Sequence, residues 1–544
     1  MCCLESGLDM FHASMCGPAG TLNTLLTLTN YNSTRHLSFL PGKQLTFLNR
    51  SSPKNPIAPG PAQQLLGRRS PLQPTASRAP HRSLLRLGAP ASLFSAMEMR
   101  SMALICLLCC LFHDSAAIST GTSDGMERWG YAKTRPRNQL PRSSTLSSIS
   151  VIFLSEDGGS GVGRGNFLEI GPLDVNLKPR NWTWLHQADL IFVDNPVGVG
   201  YSYAEDRSAV ATTDSQAAMD VTEVLKVLAR ELPTLQDSPL FLVGESYGGK
   251  LAAMIGNSVL RAIHAGTLKL TLGGIVLGDS WISSEDFSLS YAQLLHDVSR
   301  LIDNAVADAN KMAESVKNKI AVGQFAEAQK IWTDLLDFID SKTDSVAIEF
   351  SAVGSFQNIY NFMLDTGMNP VLARSPLLTR TQLMVQNNQS SGSAPTIDGI
   401  MNGIIKQKLK IIPKTVVWKE ATLEVYEALA NDFMKPAIKE ASYQMSVNVT
   451  VYNGQLDVIC PTIGVEAWVN KLKWVGLKSF LSQSRQPLHY CDSDKYCSKA
   501  IKAYVRSHSN LRFYWILGAG HMVPVDQPYA AFRMIGSVTK SLGK

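Results

Sequence analysis

The stretch that most constrains this chain is Gly244-Glu245-Ser246-Tyr247-Gly248 with its flanks. The apolar run Leu240-Phe241-Leu242-Val243 before it reads as a buried strand, and Leu251 to His264 after it reads as a helix. A strand that turns directly into a helix forces strained backbone at the turn, and glycines on both sides let the two elements pass closely. The serine hydroxyl is then exposed at a helix N-terminus, where the dipole favours developing negative charge. G-x-S-x-G alone is short enough to occur by chance; the strand and helix around it make it a nucleophile elbow.

Strands and helices alternate around this point. Ser147 to Leu154, Leu190 to Val193, Gly273 to Leu277, Val447 to Tyr452 and Leu511 to Leu517 read as strands. Thr213 to Leu232, capped by Asp214, reads as a helix, as do Pro461 to Leu472 and Gln527 to Leu542. The pattern predicts an α/β fold with a mostly parallel central sheet and helices on both faces. From Glu285 to about Ile339 amphipathic helices follow one another without core strands, and 340–415 is mixed and loop-rich. We read 285–415 as a helical insertion capping the strand ends, between core segments 118–284 and 416–544; a separate helical domain is the alternative. Residues 118–146 show no convincing element. The glycine-rich loop Gly158–Gly165 lacks both the full dinucleotide pattern and a Walker lysine, so it does not point to a nucleotide.

The formal charge of +6 is not a property of this core. Residues 1–96 alone carry +7 and the rest sums to −1, which argues against a nucleic-acid partner. Residues 1–96 show no sustained period and read as an unfolded leader or an artefact of gene prediction. Met97-Glu-Met-Arg100, the apolar run Met102 to Phe112 and the small residues Ser115-Ala116-Ala117 have the shape of a signal peptide over 97–117, too short to span a bilayer. No stable membrane anchor is expected. Downstream, Cys491 and Cys497 are spaced for one disulfide, which would leave Cys460 free.

A serine hydroxyl needs a base, and the base an orienting carboxylate. Asp457 and His521 each follow an apolar strand, and the order Ser246, Asp457, His521 is that of the α/β-hydrolase fold. Of the ten histidines only His521 has order, strand and loop in its favour. His489 with Cys491 and Cys497 is too sparse for zinc. No metal or cofactor is expected.

Four longer motifs surround these residues: G-E-S-Y-G-G-K, D-N-P-V-G-V-G-Y-S-Y, N-G-Q-L-D and G-A-G-H-M-V-P-x-D-Q-P. Together they resemble the serine carboxypeptidases, nearest to the plant serine carboxypeptidase-like proteins and the retinoid-inducible animal branch, over about residues 158–540. G-D-S-W-I-S at Gly278 and K-L-K-I-I-P at Lys408 are similar to that branch. The resemblance implies a secreted or vacuolar exopeptidase, active at acidic pH, acting on peptide or protein C-termini. Ser246 would attack the last peptide bond, His521 would carry the proton, Asp457 would orient His521, and the Tyr247 N–H would be one oxyanion donor. Glu245 and Glu169 would bind the substrate's C-terminal carboxylate; two close carboxyls share a proton, and the protonated one donates to the substrate.

The family's W-L-(N/Q)-G-G-P-G motif is missing. Leu154-Ser155-Glu156-Asp157-Gly158 stands there, with Glu156 at the position of the second oxyanion donor; a shifted alignment gives that place to Gly159. The aromatic first hairpin is also missing, and only Trp129-Gly130-Tyr131 resembles its start. Two other readings stay open: an acyltransferase, because plant relatives use the same triad to pass the acyl group to an alcohol, and a non-catalytic secreted binding or stabilising relative, which this departure favours. Asn181, Asn388 and Asn448 head glycosylation sequons, Asn448 the least suited because it falls in a strand.

Overall fold

The structure is a computed structural model, and the residues it describes are 22–29, 120–123, 127–134, 150–154, 159–206, 209–342, 359–363, 395–489 and 500–540. Twelve strands among them form one sheet. They are β1 (Leu22–Thr29), β2 (Thr120–Gly121), β3 (Glu127–Lys133), β4 (Ser150–Leu154), β5 (Asp189–Val193), β6 (Tyr203–Ala204), β7 (Pro239–Glu245), β8 (Thr271–Gly278), β9 (Asn448–Gly454), β10 (Gln486–Leu488), β11 (Ala503–His508) and β12 (Leu511–Ile516). The order is β10-β11-β12-β9-β8-β7-β4-β5-β1-β3-β2, with β6 paired to β1. The six strands from β12 to β5 are parallel and the flanks antiparallel. This is an α/β-hydrolase sheet.

Alternation along the central strands builds a core on each face. Leu240, Leu242, Ile275, Leu277, Val449 and Val451 join one core with helices α1 (Asp214–Glu231) and α2 (Tyr247–His264). Phe241, Val243, Val276 and Tyr452 join the other, beneath the closing helix at Pro528–Lys540. Both sides of each strand are apolar, as a sheet covered on both faces requires.

After β8 come α3 (Ser284–Asp297), α4 (Asp303–Ala321) and α5 (Phe325–Lys342). Their buried residues, Phe287, Ala309, Trp332 and Leu335 among them, belong to the same core as β7 and α2. Trp332 Nε1 donates to Tyr291 Oη at 3.1 Å, and that hydroxyl donates to the Ile459 carbonyl at 3.0 Å, so the helices are tied to the loop after β9.

Four local expectations are corrected. Residues 1–96 were expected to hold no element, yet Leu22–Thr29 is β1, hydrogen-bonded between β3 and β5; its Leu26-Thr27-Leu28-Thr29 alternation is a strand pattern within a segment of unfolded composition. Residues 118–146 hold β2, the edge strand, and β3, which lies between β1 and β2. The glycine-rich loop becomes a π-helix from Gly161 to Ile170, capped by Ser160 Oγ accepting from the Gly163 N–H. Thr213, not Asp214, caps α1 by accepting from the Gln216 N–H. The remainder of 1–96, the signal-like run with Ala117, Glu156, Asn388, Cys491 and Cys497 lie outside the described residues. Among the described residues no helix is long and apolar enough to cross a membrane.

Candidate active site

The elbow is built as its glycines require. Ser246 takes φ 54° and ψ −126°, a region that side chains other than glycine rarely occupy. A Cβ on Gly244 would lie 2.2 Å from the Gly248 carbonyl oxygen, and one on Gly249 would lie 1.8 Å from Ser280 Oγ. The Ser246 N–H donates to the Gly278 carbonyl and its own carbonyl accepts from the Trp281 N–H, so the end of β8 and the loop after it hold the strained turn from both sides. Ser246 is buried at the first turn of α2, whose initial N–H groups include that of Tyr247.

Asp457 and His521 come from the loops after β9 and β12, adjacent parallel strands. His521 Nδ1 lies 2.8 Å from Asp457 Oδ2, with both side chains buried. Asp457 Oδ1 accepts from the Cys460 N–H at 3.1 Å. The two loops are stitched together: the Leu456 N–H donates to the Ala519 carbonyl and the Gln455 N–H to the Ile516 carbonyl. His521 is placed by its N–H, which donates to the Tyr360 carbonyl at 2.7 Å, and by the Tyr360 ring at 5.1 Å. Asp526, the aspartate of the V-P-x-D-Q-P motif, accepts from the Gly520 N–H and from Asn361 Nδ2, closing the loop on either side of His521. Burial raises the Asp526 pKa above the ordinary carboxyl value, against the lowering effect of those donors.

A cluster of acids lies behind this pair. Asp279 follows β8 and is fully buried; burial first, then the charges of Asp457 and Glu245, raise its pKa well above the ordinary value. Glu245 is equally buried, and its Oε1 accepts from Tyr452 Oη at 2.6 Å. Burial and then Glu245 keep the Tyr452 phenol protonated, with Asp279 and Glu169 adding to the effect. Glu245 and Glu169 thus both act on Tyr452. Glu169, on the π-helix, is buried with Oε1 3.4 Å from Arg164 Nε. Arg164 also pairs with Glu420 and donates to Met522 Sδ, next to His521. Glu169 therefore meets a guanidinium through one of its oxygens.

Sequence reasoning missed three supports. Asp194, in the D-N-P-V-G motif, accepts from Ser160 Oγ at 2.5 Å, from the Val162 N–H at 3.1 Å and from the Tyr201 N–H at 2.8 Å. It ties the π-helix to the end of β5, and burial raises its pKa to about 6 despite those donors. Lys250, the lysine of G-E-S-Y-G-G-K, pairs with Asp214 Oδ2 at 3.0 Å under the Tyr247 ring, while Tyr247 Oη donates to Asp214 Oδ1. The third is Asp279. A charged residue inside a motif was the one sequence signal for all three.

Of the remaining predicted residues, Gly159 is buried beside Ser160. Asn181 is exposed, whereas Asn448 is half-buried at the start of β9 and its Nδ2 donates to the Gly273 carbonyl at 3.1 Å. Asp457, Cys460 and His521 bring one ligand atom each within 4.8 Å, but the aspartate and histidine of this set already bond to each other.

Residues 157–541 match the serine carboxypeptidase family. The chain is 44% identical to serine carboxypeptidase-like 51 of Arabidopsis thaliana over 81% of its own length and 98% of that protein. It is 39% identical to the retinoid-inducible serine carboxypeptidase of Rattus norvegicus, covering 79% of this chain and 95% of that one. Among solved structures it resembles Kex1(delta)p, a prohormone-processing carboxypeptidase from Saccharomyces cerevisiae, with a TM-score of 0.57 at 21% identity over 72% of this chain and 83% of that one, a likeness of fold. The chain belongs to the serine carboxypeptidase family, peptidases built on the α/β-hydrolase fold.

Proposed function

We propose that this protein releases C-terminal amino acids from peptides through an acyl-enzyme on Ser246. Ser246 Oγ attacks the last peptide carbonyl as His521 takes its proton; the tetrahedral intermediate collapses, and His521 returns the proton to the departing amino acid. Water, deprotonated by the same imidazole, then frees the shortened peptide and Ser246. Asp457 fixes the tautomer and orientation of His521 and offsets the charge it gains. The Tyr247 N–H is one oxyanion donor, and the backbone at Glu156 or Gly159 is assigned the other. The observation that carries this reading is the buried 2.8 Å contact of His521 Nδ1 with Asp457 Oδ2, in loops that leave the same end of the parallel sheet as the strained Ser246.

Glu245 and Glu169 are assigned the substrate's terminal carboxylate. Tyr452 supports this role because its hydroxyl holds Glu245 in a fixed direction. With Arg164 paired to Glu169, the local charge is less negative than two bare carboxylates would make it. Acidic working conditions, as in a secretory or vacuolar compartment, are favoured by three acids with raised pKa values, the buried Asp194 and Asp279 and the half-buried Asp526. Asn181 is the sequon best placed to carry a glycan.

The test is amino-acid release from N-blocked dipeptides at about pH 5 and pH 7.5, with Ser246→Ala alongside. Release that favours acid and disappears in the variant is expected. A folded wild type that releases no amino acid, but transfers its acyl group to an added alcohol, would replace hydrolysis by acyl transfer. One that does neither would leave a binding protein.

A further inference from the structure

The motif Gly278-Asp279-Ser280-Trp281 ends β8 where that strand supports the elbow, and the reaction as written gives Asp279 no task. Its backbone is unusual: φ is 41°, and its N–H donates to the Tyr452 carbonyl at 2.9 Å. Asp279 Oδ1 accepts from the Gly454 N–H at 2.7 Å, while no N–H or hydroxyl of the described residues reaches Oδ2. The Gly454 carbonyl in turn accepts from the Asp457 N–H at 3.3 Å, so one residue joins the two acids, and the Asp457 carboxyl acts on that of Asp279 through charge and hydrogen bonding.

Two carboxyl groups can hydrogen bond only if one of them carries a proton. The donors decide which. Asp457 accepts from His521 Nδ1 through one oxygen and from the Cys460 N–H through the other, so its anion is held at both ends. Asp279 accepts from one backbone N–H and has a second acid, Glu245, close by. The proton therefore belongs on Asp279.

We propose that Asp279 is a positioning residue of the catalytic machinery: as a neutral acid it donates its O–H to Asp457 and fixes the carboxylate that orients His521. The inference rests on the serine–histidine reading above. The groups facing Asp279 are Asp457 from the loop after β9 and Glu245 from the end of β7, with Tyr452 of β9 bonded to Glu245 and His521 beyond Asp457. Ionisation of Asp279 would set a third anion among these groups. It would turn a hydrogen bond to Asp457 into a repulsion and displace the carboxylate from His521.

The experiment compares Asp279→Ala with Asp279→Asn. An asparagine can still donate to Asp457 and accept from Gly454; an alanine does neither. Asp279→Ala is expected to lower kcat about 10–100-fold with little change in KM, the effect of a misplaced base, and Asp279→Asn to recover most of that loss. Asp279→Asn should also extend the alkaline limb of the kcat profile, since it has no proton to lose. The Nδ1–H proton resonance of His521, read in the Ser246→Ala background, should shift in Asp279→Ala and return near its original place in Asp279→Asn. That resonance does not depend on turnover, so it tests Asp279 even if the protein proves to be no peptidase. A resonance and kcat unmoved in Asp279→Ala would overturn the proposal. So would an Asp279→Asn protein with wild-type melting behaviour that is as impaired as the alanine variant.

Discussion

Lys250 Nζ lies 3.0 Å from Asp214 Oδ2 with both side chains buried, and this pair bolts the elbow helix to its neighbour. The ammonium also donates to the Asp432 and Phe433 carbonyls, and Phe433 stacks on Tyr247 at 5.6 Å. A buried ion pair adds little net stability when intact, but removing one partner strands the other charge. Asp214→Ala should therefore destabilise by about 3–5 kcal/mol in denaturant titration. The double variant Asp214→Ala/Lys250→Met should recover much of that loss. Equal costs for the single and double variants would refute the pairing as a source of stability.

The strain at Ser246 separates activity from stability. Ser246→Gly places the one residue that accepts φ 54° without penalty, at the cost of the nucleophile. The variant should lose roughly 10⁴–10⁶ in kcat. It should keep its fold and unfold at a temperature equal to or above the wild type, because strain of about 1–3 kcal/mol is relieved against some gain of unfolded-chain entropy. A marked fall in melting temperature would mean that the serine side chain stabilises the elbow.

The pH dependence of stability follows from the raised acids. Asp194 has a folded pKa of about 6 against an ordinary 3.8, so between these values the native state binds more protons than the unfolded one. Stability from this group is complete below about pH 4 and is lost as pH rises through about 6, on the order of 3 kcal/mol in all. Asp279 and Asp526, also raised, act in the same direction. The melting temperature should be higher at pH 5 than at pH 7.5, and Asp194→Asn should flatten the difference. A protein more stable at pH 7.5 would contradict the burial assigned to these carboxyls.

What could be read from the sequence was what lies at the ends of apolar strands. Ser246, Asp457 and His521 each follow such a run, and the central strands differ from expectation by a few terminal residues. The groups that hold them in place were not legible. Asp214 and Lys250 are 36 positions apart, Asp279 and Gly454 are 175 apart, and Arg164 meets Glu420 across 256; no local period records such partners. Burial hides them further, since a charged residue on a helix reads as solvated until a partner is seen. β3 escaped because its Glu127-Arg128-Trp129-Gly130-Tyr131 run mixes charged residues and a glycine with its aromatics, and β1 because its alternation is short and its surroundings unstructured by composition.

The place of β1 in the sheet makes the N-terminal region testable. Leu22–Thr29 pairs with β3 over seven residues and with β5 over four. A chain beginning at Met97 would lack it, leaving β5 with an open edge and β3 with only the two-residue β2 as a partner. Unpaired edges cost their buried backbone hydrogen bonds and invite association with other chains. Expression from Met97 should therefore give a less soluble protein, with a lower melting temperature and faster hydrogen exchange in Asp189–Val193 than the full chain. Equal stability and equal protection of that strand would show that β1 is dispensable, and that the catalytic fold begins after residue 96.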